Sequence, residues 1–282
     1  MNSKWFVRFR PAAQRAHRLY CFPYAGGNAN LFREWVNKVP DGIEIIGIQA
    51  PGKGARMLEA PYTDLGALGD DLLTAMMPAL GDGEFSFFGH SNGAMIAFHL
   101  ACRLHALRLP LPQRLFLSDN PAPWTRTGEK DYATMPDNEF KETLRKLNAT
   151  PSDILQDDEL LSLLMPGLRA DFMLAHSYRF PRGVALPVRT TVFHATQGEI
   201  PRHQIMAWEE RIARPVEYHD MPGGHFFLHT HEQLLVDEVS CRIQESLDCR
   251  HEPIAADAVS TAHCNRMRLK AETPINMERI DK

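Results

Sequence analysis

Residues 85–93 of the chain read Phe85-Ser86-Phe87-Phe88-Gly89-His90-Ser91-Asn92-Gly93, and they give the clearest indication of the fold. A short apolar run leads into a G-x-S-x-G pattern, and a helical run follows over residues 94–102. The pattern is typical of a nucleophile elbow, a sharp strand-to-helix turn in which only small residues fit two positions before and after the serine. We therefore expect the Ser91 hydroxyl to stand exposed at the edge of a sheet, above a helix N-terminus whose free N–H groups stabilise an oxyanion.

Strands and helices alternate along the chain on both sides of the elbow. The spacing predicts strands at residues 19–22, 43–48, 114–119, 188–195 and 216–219, and helices at 31–39, 65–80, 205–212 and 232–247. This alternation predicts an α/β fold, with a mostly parallel central sheet flanked by helices. Between residues 120 and 186 the alternation stops and the apolar positions have helical spacing. Because this insertion leaves from the strand next to the elbow, we expect a helical lid over the site.

Length and composition bound the number of domains. A chain of 282 residues fits one α/β domain with an inserted lid better than two full domains. Residues 249–282 contain few large apolar side chains and carry mixed charge. We expect a disordered tail without chemistry there, which leaves residues 1–248 as the folded domain.

Charge and cysteine content exclude several classes of protein. The formal net charge of −4 argues against a nucleic-acid binder, and no apolar run approaches the roughly 18 residues that a membrane span needs. The five cysteines lack C-x-x-C spacing, which indicates free thiols in a reducing cytoplasm. Two cysteines and two histidines in the tail match no zinc pattern, so we expect no metal. We expect a cytoplasmic monomer that binds neither nucleic acid nor membrane.

A nucleophilic serine needs a base to take its proton, and His225 is the candidate. It lies on the Gly-rich turn Pro222-Gly223-Gly224-His225, directly after the strand predicted at 216–219. The paired glycines let this loop carry the imidazole back over the sheet. His225 also lies after Ser91 in the chain, as the histidine does in the order serine, acid, histidine of α/β-hydrolase triads. His225 is therefore the predicted base for Ser91.

Four motifs together resemble those of type II thioesterases, the free-standing α/β-hydrolases that work beside nonribosomal peptide and polyketide synthases. The resemblance covers about residues 5–245, in order and at family-like spacing. The motifs read Phe22-Pro23-Tyr24-Ala25-Gly26-Gly27, Ala50-Pro51-Gly52-Lys53-Gly54-Ala55-Arg56-Met57-Leu58-Glu59, Gly89-His90-Ser91-Asn92-Gly93-Ala94 and Pro222-Gly223-Gly224-His225-Phe226-Phe227.

The resemblance implies an α/β-hydrolase fold and an editing role in the biosynthesis of secondary metabolites such as antibiotics. The implied substrate is an acyl or aminoacyl thioester on the phosphopantetheine arm of a carrier protein, so the carrier protein is the implied partner. No cofactor of the enzyme's own is implied. Ser91 would attack the thioester carbonyl after His225 takes its proton. The oxyanion would be held by the backbone N–H of Asn92 and, by resemblance, that of Ala25.

The chain departs from the family pattern at the acid. Type II thioesterases normally carry an Asp in the loop after the strand predicted at 188–195, whereas this loop reads Thr196-Gln197-Gly198-Glu199-Ile200. Asp119 instead follows the strand next to the elbow, where the integrated thioesterase domains at the ends of synthases carry their acid. We favour Asp119 as the acid that orients His225. Glu199 is the alternative, and a triad without a working acid is the third possibility.

A second departure lies beside the nucleophile. Where the family usually has Gly-His-Ser-Met-Gly-Ala, this chain has Asn92 in place of the methionine. The backbone N–H survives this change, and the oxyanion hole should survive with it. A polar Asn92 side chain at the floor of the pocket is expected to alter substrate preference.

Three alternative functions would use the same residues. An acyltransferase or cyclase would pass the acyl group from Ser91 to an amine or hydroxyl instead of water. A degenerate hydrolase would keep only the binding of carrier proteins, and a plain carboxylesterase or lipase would act on soluble esters. The intact Ser91, His225 and glycine-framed turns favour thioester hydrolysis.

Overall fold

Seven strands form one sheet in the computed structural model, which describes residues 4–10, 16–126, 131–146, 152–178, 183 and 185–248. The strand order is β1-β3-β2-β4-β5-β6-β7. Only β1 runs antiparallel to its neighbour, and the other neighbours pair in parallel. The predicted α/β class, with a mostly parallel sheet, is confirmed. The strands are β1 Phe6–Arg8, β2 His17–Phe22, β3 Ile43–Ile48, β4 Phe85–His90, β5 Arg114–Ser118, β6 Arg189–Ala195 and β7 Val216–Met221.

Helices connect these strands, and in the described ranges none is long and apolar enough to cross a membrane. The helix predicted at 31–39 is instead two successive 3-10 turns, Ala29–Phe32 and Glu34–Asn37. The α-helix predicted at 65–80 ends at Met76 and tightens into a 3-10 turn, because Pro78 offers no N–H. The α-helices are α1 Leu65–Met76, α2 Asn92–Ala106, α3 Asp137–Lys146, α4 Ser152–Gln156, α5 Asp158–Ser177, α6 Arg202–Met206, α7 Phe227–Thr230 and α8 Glu232–Asp248.

Both faces of the sheet are covered, and successive side chains of β4 show this. Phe85 and Phe87 belong to the apolar cluster that contains α1 and α2. Phe88 belongs to the opposite cluster, together with Trp35 and α8. A strand that is buried on both faces has apolar side chains in succession rather than in alternation. This is why the run before the elbow contains three phenylalanines.

The chain between β5 and β6 contains α3, α4 and α5, within the insertion predicted at 120–186. These helices share an apolar cluster that includes Phe140, Leu168 and Phe172. Ala25, from the loop after β2, belongs to the same cluster. The insertion therefore packs on the loop that follows β2. Residues 127–130, 147–151, 179–182 and 184 of the insertion, and the whole tail predicted at 249–282, lie outside the described residues.

The elbow brings backbone against backbone. A Cβ on Gly93 would lie 2.1 Å from the carbonyl oxygen of Phe22, and one on Gly89 would lie 2.2 Å from the carbonyl oxygen of Gly93. Neither neighbour is a flexible side chain that could move aside. The two flanking glycines therefore let α2 cross the ends of β2 and β4.

The Gly93 contact predicts a steric cost for any side chain at this position. We expect Gly93→Ala to lose at least about 3 kcal/mol of unfolding free energy, which lowers Tm by roughly 6 °C or more. Thermal unfolding followed by circular dichroism measures this. Gly81→Ala is the matched control, because a Cβ there has no atom within 4 Å. Equal Tm values for the two variants would contradict the steric argument.

His99 gives the fold a dependence on pH. It lies on α2 against α1, where a Cβ on Gly69 would meet the imidazole at 2.7 Å, and its Nδ1 is 3.0 Å from the Tyr178 hydroxyl. Burial lowers the pKa of His99 from 6.5 to about 4. Between these values the unfolded chain binds a proton that the folded chain excludes. The folded state therefore loses stability as the pH falls from 6.5 towards 4.

We expect His99→Gln to weaken this pH dependence, because glutamine does not titrate. The slope of unfolding free energy against pH should fall by up to about 1.4 kcal/mol per pH unit between pH 6 and pH 4.5. Urea unfolding at several pH values measures both slopes. Parallel curves for wild type and variant would show that His99 does not cause the dependence.

Candidate active site

Ser91 forms the tip of the elbow between β4 and α2. Its backbone has φ 53° and ψ −121°, a conformation that is rare for any residue except glycine. The Ser91 N–H donates to the carbonyl of Ser118 at 2.7 Å, and the Ser91 carbonyl accepts the N–H of Ala94 at 2.9 Å. The strained turn is thus held from both sides. Backbone strain of this kind clusters at functional sites.

Asp119 follows β5 directly, and its carboxylate is almost fully buried, with 1% of the residue exposed. Its Oδ2 is 2.6 Å from Nδ1 of His225. Its Oδ1 accepts the backbone N–H of Ala195 at 2.9 Å, and Nδ1 of His194 lies 3.5 Å from the same oxygen. The carboxylate is therefore fixed between the ends of β5 and β6 and holds the Nδ1 edge of the His225 ring.

The His225 loop rests on the loop after β6. Gly223 has φ 89°, and its carbonyl accepts the N–H of Gln197 at 2.9 Å. Glu199 belongs to the same supporting loop, but its side chain is exposed. The structure therefore brings Asp119 to Nδ1 of His225 and leaves Glu199 at the surface. The loop after β6 contributes backbone support to the His225 loop through the Gln197 N–H.

Burial and hydrogen bonding have opposing effects on the charge of the Asp119 carboxyl beside His225. Burial raises the pKa of the Asp119 carboxyl, but the hydrogen bond and charge of His225, with the Ala195 N–H, hold that pKa below its ordinary value. His90 is buried beside them, with ring centroids 5.0 Å from His225 and Nδ1 2.8 Å from the Ser118 hydroxyl. Burial, and next the charge of His225, lower the pKa of His90 to about 3. At neutral pH the site therefore contains a carboxylate and a neutral His90.

The two predicted oxyanion donors lie at the same end of the sheet. Asn92 is the first residue of α2, where backbone N–H groups have no partner within the helix. Ala25 is buried in a tight turn, in which the N–H of Gly27 donates to the carbonyl of Tyr24 at 2.9 Å. The Asn92 side chain donates from Nδ2 to the backbone carbonyl of Asp171 on α5, at 2.8 Å. This side chain therefore ties the elbow to the insertion.

An apolar cavity lies beside the elbow, between α5 and the core. Three polar residues, Lys53, Asn92 and Asp171, contribute to its wall. A cavity that is mostly apolar, with a few placed polar groups, suits an acyl chain, and its wall includes Asn92, the residue after Ser91. The apolar lining includes Phe22, Ile48, Leu68, Leu72, Ile96 and Leu174.

Two residues of this region were not predicted from the sequence. Lys53 lies in the motif at residues 50–59, where no role was assigned to it, and Asp171 matches no motif. The available signal for Asp171 was an acid in an otherwise apolar stretch of the insertion, at 170–175. Among the residues that the structure describes, no group of three or more His, Cys, Asp or Glu could hold a metal ion.

The parallel sheet, the serine elbow after a central strand and the histidine after the last strand define an α/β-hydrolase. The chain belongs to the thioesterase family, because the model of the Thioesterase domain matches residues 17–247. The predicted α/β-hydrolase fold and the assignment as a serine-hydrolase thioesterase are thereby confirmed.

Relatives support the same family. The chain is 36% identical over 236 residues to the gramicidin S biosynthesis protein GrsT of Aneurinibacillus migulanus, covering 83% of this chain and 92% of that protein. It is 30% identical to thioesterase PikA5 of Streptomyces venezuelae, covering 84% of each. Among solved structures it is similar to the type II thioesterase BorB from the borrelidin biosynthetic cluster. That match has a TM-score of 0.77 and 27% identity, and covers 85% of this chain and 98% of BorB. The resemblance to type II thioesterases is confirmed.

The geometry predicts different outcomes for the two candidate acids. Asp119→Asn keeps the shape but no longer stabilises the Nδ1–H form of His225, so we expect kcat to fall about 10³- to 10⁴-fold. Glu199→Gln is the matched control and should keep kcat within about 3-fold. Hydrolysis of an acyl thioester at neutral pH measures both. A large loss in Glu199→Gln alone would move the acid to the loop after β6.

Proposed function

We propose that this thioesterase removes acyl or aminoacyl groups from the phosphopantetheine arm of carrier proteins in the biosynthesis of nonribosomal peptides or polyketides. The observation that carries the mechanism is the 2.6 Å contact between Asp119 and His225, beside the elbow of Ser91. The substrate class is supported by the relatives, since GrsT is a gramicidin S biosynthesis protein and BorB comes from the borrelidin cluster. The apolar lining of the cavity is further support for a substrate that carries an acyl group.

Acylation begins at Ser91. His225 takes the hydroxyl proton on Nε2 while Asp119 accepts the Nδ1–H bond and stabilises the imidazolium. The serine oxygen attacks the thioester carbonyl, and the negative charge moves to the carbonyl oxygen. The backbone N–H groups of Asn92 and Ala25 stabilise this oxyanion. When the C–S bond breaks, His225 returns its proton to the sulfur and the phosphopantetheine thiol leaves.

Deacylation repeats these steps with water. His225 takes a proton from a water molecule, and the hydroxide attacks the acyl-Ser91 ester. The oxyanion forms again at the same two N–H groups. Collapse breaks the bond to the Ser91 oxygen, which recovers its proton from His225, and the free acid is released. These five residues carry out the proposed chemical steps, and the proposal includes no cofactor of the enzyme's own.

Acyl transfer is the second candidate. Asp119 lies after the strand next to the elbow, the position at which integrated thioesterase domains carry their acid, and many of those domains cyclise their products. Helix α5 contributes Asp171 and Leu174 to the wall of the cavity, and a site that excluded water would favour an amine or hydroxyl acceptor. A degenerate carrier-protein binder is the third candidate, which the intact Ser91 opposes.

The carrier domain is the proposed partner, and we place the enzyme in the cytoplasm as a monomer. Cys21 and Cys102 are free and buried, which supports a reducing compartment. Neither nucleic acid nor membrane is part of the proposal, in keeping with the net charge of −4.

The test is hydrolysis of acetyl- and hexanoyl-carrier-protein thioesters, followed by intact-protein mass spectrometry. We expect wild type to remove the acyl mass from the carrier without a lasting adduct, and Ser91→Ala to leave the carrier loaded, because it lacks the nucleophile. The 4-nitrophenyl esters of the same acids serve as the control for carrier preference.

Other results would replace the proposal. A stable acyl adduct on Ser91 would favour a transferase awaiting its acceptor. Neither release nor adduct, with no labelling by a fluorophosphonate, would favour the binding-partner role. Equal activity on the soluble esters would favour a carboxylesterase.

A further inference from the structure

Helix α5 packs directly on the turn that carries the Ala25 oxyanion donor. A Cβ on Gly26 would lie 2.6 Å from Leu168 of α5, and Ala25 itself belongs to the apolar cluster of the insertion. A Cβ on Gly167 would lie 3.1 Å from the carbonyl of Gly52, on the neighbouring loop. The position of the turn therefore depends on α5 as well as on the sheet.

Asp171 makes the polar part of this contact. Its Oδ2 accepts the backbone N–H of Gly26 at 2.7 Å, and the ammonium of Lys53 donates to the same oxygen. The residue is buried, with 3% exposed, and the Lys53 ammonium is the ion-pair partner of its carboxylate. The bond fixes the Ala25–Gly26 peptide, and the Ala25 N–H belongs to the peptide immediately before it.

The backbone carbonyl of Asp171 binds the residue that supplies the other oxyanion donor, Asn92. The carbonyl of Asp171 accepts the Asn92 side chain at 2.8 Å, and the Asn92 backbone N–H is the proposed oxyanion donor of the elbow. One residue of α5 is thus bonded to both segments that supply the oxyanion hole, the turn after β2 and the start of α2.

We propose that Asp171 is a positioning residue that sets the two oxyanion donors at the correct separation, so that the hole is complete only while α5 lies on the core. The proposal rests on the proposed function, because it needs Ser91 chemistry with the Ala25 and Asn92 donors. It adds that the insertion takes part in catalysis as well as in lining the cavity. Oxyanion stabilisation depends on donors placed within a few tenths of an ångström, so a shift of the turn lowers kcat.

The test compares two double variants that both lack the ion pair. Asp171→Asn with Lys53→Met keeps an oxygen that accepts the Gly26 N–H, whereas Asp171→Leu with Lys53→Met has similar volume and no acceptor. We expect the leucine variant to have a kcat about 10- to 100-fold below that of the asparagine variant, with KM within about 3-fold. The substrate is the hexanoyl thioester of N-acetylcysteamine, which needs no carrier docking.

A second readout separates positioning from loss of folded protein. Rates are expressed per active serine, counted by fluorophosphonate titration. The rate constant for phosphonylation should fall in parallel with kcat, because the phosphonyl oxygen occupies the same hole. Asn92→Leu, which keeps the backbone N–H, should lower kcat about 3- to 10-fold. Asp158→Asn, an exposed position at the start of α5, is the control for the helix and should behave as wild type.

The outcomes distinguish this inference from the proposed function. Equal kcat per active serine in the two double variants, even with different Tm values, would overturn the positioning role and leave the thioesterase mechanism intact. A wild-type enzyme that neither hydrolyses the thioester nor reacts with the fluorophosphonate would overturn the proposed mechanism, and the positioning role with it.

Discussion

Helix α2 crosses the ends of β2 and β4 so closely that only a hydrogen atom fits between Gly93 and the carbonyl of Phe22. Phe22 ends β2 and leads into the turn of Ala25, so this single contact fixes the elbow relative to the neighbouring turn. The rest of the site is arranged around the pair. The insertion packs on the turn from the other side, and the cavity is the space that remains beside the start of α2. A steric constraint within the backbone thus determines where the chemistry takes place.

The proposed acid, Asp119, illustrates that in a parallel sheet more than one strand ends near the same histidine. The carboxyl ends of β5 and β6 lie at one edge of the sheet, as does the start of the loop after β7. Here β5 supplies Asp119, while the end of β6 supplies the Ala195 N–H that binds it and the Gln197 N–H that supports the His225 loop. The end of β5 thus supplies the negative charge, and the end of β6 supplies the backbone hydrogen bonds. In the proposed mechanism the imidazole needs a carboxylate at Nδ1, whichever strand carries that carboxylate.

Local patterns predicted the fold and the centre of the site, and long-range contacts limited the prediction. The phenylalanines of β4 and the glycines around Ser91 specify strand and turn within nine residues, so the elbow was predictable. The position of Asp119 at the end of the strand beside the elbow was predictable as well. The two 3-10 turns at 29–37 were not, because short apolar periodicity does not distinguish them from an α-helix. Asp171 could not be assigned, since its partner Gly26 lies 145 residues earlier and the contact exists only once α5 folds back onto the turn.

The backbone of Ser91 has a further consequence. Glycine adopts φ 53° and ψ −121° without strain, whereas serine does so at a cost of about 1–3 kcal/mol. Folding alone therefore does not favour the residue on which the proposed chemistry depends. A copy of this chain released from selection for activity would drift towards a residue that relieves the turn, and would become inert while keeping its shape. In evolutionary terms, selection for catalytic activity keeps the serine at this turn, although a glycine there would give a more stable fold.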